Sequence, residues 1–132
     1  MESNFFGEDA KLDHIGMVVK SIKEVDESLN VSEDRTQKVC ISFININGVR
    51  FELLESAAED SPIVESFKRG VKLLHVCYEV EDIDKAIERS REFGFHCISP
   101  TTSAPAFDGR FIAWLYHKHY GLFELVEREY VR

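Results

Sequence analysis

Phe51-Glu52-Leu53-Leu54-Glu55 recurs almost letter for letter as Phe123-Glu124-Leu125-Val126-Glu127. Each copy lies downstream of a histidine in an apolar run. His14 sits in Leu12-Asp13-His14-Ile15-Gly16-Met17-Val18-Val19, and His75 in Leu73-Leu74-His75-Val76-Cys77-Tyr78-Glu79-Val80. The order His…Glu…His…Glu is an internal repeat, with one histidine and one glutamate in each half.

Aligned on the histidines, the halves agree further along. Ile22 and Ile83 each fall eight residues after their histidine, at the start of a helix-like segment. Ser21 with Glu24 forms a capping-box pattern before a first helix over 22–29. Glu81-Asp82 supply acidic caps before a second, whose Ile83, Ala86, Ile87 and Phe93 keep a helical period until Gly94 stops it. Two strands follow each helix. In the first half they cover 38–46 and 49–54, joined by Asn47-Gly48, a hairpin signal because both residues tolerate positive φ. In the second they cover 111–116 and 122–126, joined through 117–121, with one further strand expected near His96–Ile98. Ser61-Pro62 begins a short connecting helix that Gly70 ends.

The expected organisation is a loose N-terminal arm (1–10) and a single domain (11–128). Module one covers 11–58, the connecting helix 61–70 and module two 71–128. The repeat is uneven: His14 and Glu52 are 38 residues apart, His75 and Glu124 are 49 apart. The first half, with only 30–37 where the second has 94–110, is shortened or has lost a strand.

Composition bounds the function. The 132 residues suffice for one domain with a real core, to which ten Phe contribute. A formal charge of −8 argues against nucleic-acid or anionic-membrane partners, which need clustered Lys and Arg. No apolar run approaches the roughly 20 residues that span a bilayer. Three Cys, in no CxxC spacing, fit reduced cytosolic thiols. The expectation is an acidic, soluble, cytoplasmic protein.

Strand alternation sets the faces of the four polar residues. His14 shares a face with Leu12, Gly16 and Val18, and His75 with Leu73, Cys77 and Glu79. Glu52 and Glu124 point away from their Phe and Leu neighbours. Any one of the four reads most simply as a hydrogen-bonded structural histidine or a solvated glutamate. Four at matched places are harder to explain so, because a buried unpaired carboxylate is costly. His14, Glu52, His75 and Glu124 together suit a divalent metal, Co, Ni, Mn, Zn or Fe. His96, His117 and His119 have no counterpart in the other half and read as surface or turn residues. Cys77 reads as a small hydrophobe, Lys118 and Arg110 as solvated charges, and 107–110 as a loop.

The pattern resembles the vicinal-oxygen-chelate superfamily (glyoxalase I, methylmalonyl-CoA epimerase, extradiol dioxygenases, fosfomycin-resistance proteins), and within it most closely methylmalonyl-CoA epimerase. The residues that carry the likeness are Asp13-His14-Ile15-Gly16, Phe51 to Glu55, Leu74 to Ile83, and Phe111 to Lys118 followed by Gly121 to Leu125. The resemblance implies an α+β fold of two βαβββ modules paired into a half-open, U-shaped mixed β-sheet barrel, here with the first module shortened. It places metal ligands at His14, Glu52, His75 and Glu124. The epimerase often has Gln at the place of Glu52, and its proton-transfer glutamate falls here on Arg35 or Thr36, just before Gln37. Glu124 and Glu52 are then the leading candidate bases, with Glu33 or Asp34, substituting from a different register, a third.

The implied function is a metal-dependent isomerase, epimerase or related lyase. It removes a proton beside a metal-chelated carbonyl of a small α-oxo or thioester substrate, a CoA thioester among them. The resemblance also implies a homodimer. Two rivals share the fold: an Fe(II) dioxygenase, against which a fourth ligand closing an open position counts, and a non-catalytic small-molecule binding or resistance protein.

Overall fold

A computed structural model describes residues 2–129 as nine strands, three short α-helices and one 3₁₀ turn. The strands are β1 (Lys11–Val18), β2 (Ser32–Asp34), β3 (Val39–Ile46), β4 (Val49–Ser56), β5 (Leu73–Val80), β6 (His96–Cys97), β7 (Thr102–Ser103), β8 (Phe111–His117) and β9 (Gly121–Glu127). The helices are α1 (Ile22–Val25), α2 (Val64–Lys68) and α3 (Ile83–Arg91), and the 3₁₀ turn is Pro105–Phe107. The chain divides into two compact units, His14–Leu74 and a second made of 2–13 with 75–129. Among the described residues no helix is long and apolar enough to cross a membrane.

In the His14–Leu74 unit the strand order is β2-β3-β4-β1. β1 runs parallel to β4, with Ile15 beside Phe51 and Gly16 beside Glu52. β3 and β4 form the hairpin that Asn47-Gly48 announces, both residues at positive φ (48° and 85°) as a two-residue turn of this kind requires. The first half has not lost a strand: β2 pairs antiparallel with β3, though over three residues only. α1 is one turn instead of the two expected. Asp26 leaves the helical region (φ −161°), and its carboxylate accepts from the Ser28 N–H and hydroxyl, a local bond that competes with helix. Ser21 does cap α1, accepting from the Glu24 N–H at 3.4 Å. α2 starts at Val64, later than Pro62, because a turn from Ser61 to Val64 precedes it. Gly70, at φ 77°, ends that segment as read.

The second unit repeats the plan. Its strand order is β5-β9-β8-β6, with β7 also on β8, and β5 runs parallel to β9. α3 begins at its Asp82 cap, which accepts from the Lys85 N–H at 3.1 Å, and ends at Arg91; Gly94 follows at φ 92°. One sheet face packs against α3: Val80, Ala113, Leu115 and Leu125 meet Ile83, Ala86, Ile87 and Phe95. Burying each of the Val, Leu, Ile and Phe side chains among them contributes about 1.5–3 kcal/mol. Both units are thus mixed sheets with a helix on one face, the α+β class that the resemblance implied; the first unit has its βαβββ order, and the second has one further short strand, β7.

The N-terminal arm is not loose. Phe6 is 6 % exposed within the α3 core, and Phe5 packs its ring on Phe93 and Phe95 at 5.2 and 5.3 Å. The Arg89 guanidinium donates to the Asn4 carbonyl, and the Glu81 N–H donates to the Asp9 carboxylate. Two aromatic residues in a short polar stretch suffice to dock it.

Candidate metal centre

Each unit buries one histidine against one glutamate. In the first, β1 carries His14 and β4 carries Glu52 on the same sheet face, with His14 Nε2 3.4 Å from Glu52 Oε1. In the second, β5 carries His75 and β9 carries Glu124, with His75 Nε2 3.2 Å from Glu124 Oε1. All four are buried, His14 completely and Glu52 and Glu124 at 3 % and 2 % exposure. The parallel pairing produces this juxtaposition. Gly16 lies beside Glu52 and Cys77 beside Glu124, so each histidine stands two residues back along the neighbouring strand on the glutamate's face.

A third residue belongs to each pair. Phe43 is the cross-strand partner of Glu52, and its ring meets His14 at 5.7 Å and 76°. Trp114 is the partner of Glu124, and its ring meets His75 at 4.8 Å and 86°. Both edge-to-face contacts fix an imidazole. These aromatic partners escaped the sequence reading although a signal existed. A two-residue turn at Asn47-Gly48 sets the register that places Phe43 opposite Glu52.

The spacing within each pair bears on its chemistry. A charge-assisted N–H···O bond is shorter, about 2.7–2.9 Å. Neighbouring N and O ligands on an ion with bonds of about 2.0–2.2 Å lie roughly 3.0–3.5 Å apart. Both pairs fall in the second range. Imidazole nitrogens with carboxylate oxygens, buried on a sheet face, are a donor set that fits a borderline divalent ion.

The remaining candidates fall elsewhere. Glu33 pairs with Cys40, and Cys40 with Glu55, whose carboxylate accepts from the Ile22 N–H at 2.7 Å. Glu33 is therefore exposed on the α1 face, away from His14 and Glu52, and the reading of it as a base is corrected. Asp34 does lie on the ligand face but is engaged, accepting from the Gln37 N–H at 2.9 Å. It pairs with Val39, four residues along β3 from Phe43, about 13 Å at the strand rise.

His117 is a second correction: it is buried, not a surface residue. Its Nε2 bonds the Phe93 carbonyl at 3.0 Å and its Nδ1 accepts from the His119 N–H. It closes the end of α3 against the β8–β9 turn. His96 and His119 are exposed, as read, and Cys77 is buried. Arg110 is no solvated charge; it reaches Glu79 Oε2 at 3.4 Å and the Phe107 carbonyl at 3.2 Å. Among the described residues no cysteine is in a disulfide.

Residues 13–114 match the family model of the Glyoxalase/Bleomycin resistance protein/Dioxygenase superfamily. The chain belongs to this superfamily. A superfamily relative, the ethylmalonyl-CoA/methylmalonyl-CoA epimerase of Cereibacter sphaeroides, is 32% identical over 84 residues, 62% of this chain and 63% of the relative. The chain thus matches somewhat under two thirds of that relative's length. A hypothetical protein from Bacillus halodurans superposes with a TM-score of 0.77 at 29% identity, covering 95% of this chain and 99% of its own. Streptomyces coelicolor methylmalonyl-CoA epimerase, in a variant complexed with 2-nitronate-propionyl-CoA, superposes with a TM-score of 0.77 at 22% identity, covering 91% and 98%. At that identity the likeness is one of fold.

Proposed function

We propose that this chain is a metal-dependent epimerase that exchanges the proton on the carbon next to the carbonyl of a CoA thioester. His14, Glu52, His75 and Glu124 would hold one divalent cation, Co, Ni, Mn, Zn or Fe. When bound, the ion supplies Lewis acidity that makes the neighbouring C–H more acidic.

The observation that carries the reading is the doubled buried pair, with His14 3.4 Å from Glu52 and His75 3.2 Å from Glu124. Its likeness to an ethylmalonyl-CoA/methylmalonyl-CoA epimerase points to the substrate class. Epimerisation removes a proton from one face of a carbon and returns one to the other. Glu52 and Glu124, one per repeat, supply two carboxylates for those transfers, a base in one direction becoming the acid in the other. Phe43 and Trp114 pack edge-on against the two imidazoles.

Methylmalonyl-CoA incubated in D₂O with cobalt-loaded protein tests this. The expected result is deuterium at the carbon between the two carbonyls, lost in Glu124→Gln. Tight binding of the thioester without exchange would favour a binding protein on the same fold, and oxygen uptake with Fe(II) and catechols would favour a dioxygenase.

A further inference from the structure

Arg50 stands on the ligand-bearing face of the His14–Leu74 unit. It lies two residues before Glu52 on β4, so alternation sends both side chains the same way. Its guanidinium carbon lies 3.8 Å above the centroid of the Phe43 ring. The same ring takes His14 edge-on at 5.7 Å. The parallel offset that sets Ile15 beside Phe51, carried one residue back, sets His14 beside Arg50. One aromatic ring thus joins the guanidinium to the histidine of the ligand pair.

This placement has a chemical consequence. An arginine at a strand end ordinarily snorkels to water. Here the Phe43 ring keeps the guanidinium on the ligand-bearing face, and a guanidinium offers a planar fork of N–H donors that suits a carboxylate or phosphate. The surroundings repel such a ligand, since the chain carries a net charge of −8 and Glu52 shares the face. A negatively charged substrate needs a local cation there.

We propose that Arg50 anchors an oxyanion of the substrate beside the His14–Glu52 pair. The inference rests on the proposed function and assigns to one residue, outside the four ligands, the anchoring of an anionic group of that substrate. A lysine would keep the charge and lose the fork.

Calorimetric titration of malonate and of inorganic phosphate into metal-free and cobalt-loaded protein decides it, with wild type, Arg50→Gln and Arg50→Lys compared. Arg50→Gln is expected to weaken the preferred anion at least about tenfold in both metal states. Arg50→Lys is expected to weaken it less, and both variants are expected to keep taking up cobalt. Preference for malonate assigns a carboxylate, and preference for phosphate a phosphate. Equal affinity in wild type and Arg50→Gln overturns the proposal, as does a wild type that binds neither ion. Wild type that fails to take up cobalt overturns the metal reading alone, because the metal-free titration still reads Arg50.

Discussion

Glu52 and Glu55 lie three residues apart on β4 and therefore point to opposite faces. Glu52 meets His14, while Glu55 turns to the α1 side and accepts from the Ile22 N–H. Glu124 and Glu127 divide in the same way, Glu127 accepting from the Ile83 N–H at 3.1 Å. The doubled spelling thus combines one glutamate for the candidate site and one for the helix start. Cys40 shows the same face logic electrostatically. Burial pushes its thiol above the ordinary range, and its cross-strand neighbours Glu55 and Glu33 push it further. A negative neighbour disfavours the thiolate, so Glu33→Gln should lower the Cys40 pKa. Iodoacetamide labelling of the Cys40 peptide, followed by mass spectrometry across pH 7–10, should then shift to lower pH. An unchanged profile would show that Glu33 does not act on the thiol.

At the scale of elements, the caps explain why short helices persist. α1 has only four residues, too few to be stable from propensity alone. Its first N–H is satisfied by a carboxylate from β4, so the helix is tied to the sheet that carries Glu52. Glu55→Ala and Glu127→Ala should each lower unfolding free energy by about 1–2 kcal/mol in urea titrations; no loss in either would remove the cap from the account. Most of these elements could be read in the sequence. The Asn47-Gly48 turn, the Asp82 cap and the Gly94 stop give β3, β4 and α3 nearly to the residue. β2 and β7 could not be read, because strands of two or three residues carry no alternation to count. Phe5 and Phe6 were missed because docking of an arm depends on a core assembled from distant segments. His117 was missed for a like reason: its partner, the Phe93 carbonyl, is a backbone group with no sequence signal.

For the whole molecule, the repeat makes a quantitative claim. Each half holds one histidine and one glutamate, and two ligands rarely bind a divalent ion tightly. The four candidate ligands were legible because they recur, whereas Arg50 has no counterpart in the second repeat, where Leu122 occupies the equivalent position two residues before Glu124. The catalytic reading therefore stands or falls on whether the two pairs act as one site. Calorimetric titration of Co²⁺ into wild type and into His14→Ala, Glu52→Gln, His75→Ala and Glu124→Gln tests this most directly. One equivalent per chain is expected in wild type, weakened at least about tenfold by each substitution, whichever half it lies in. Two equivalents, no binding at all, or a variant of one half that binds like wild type would contradict it.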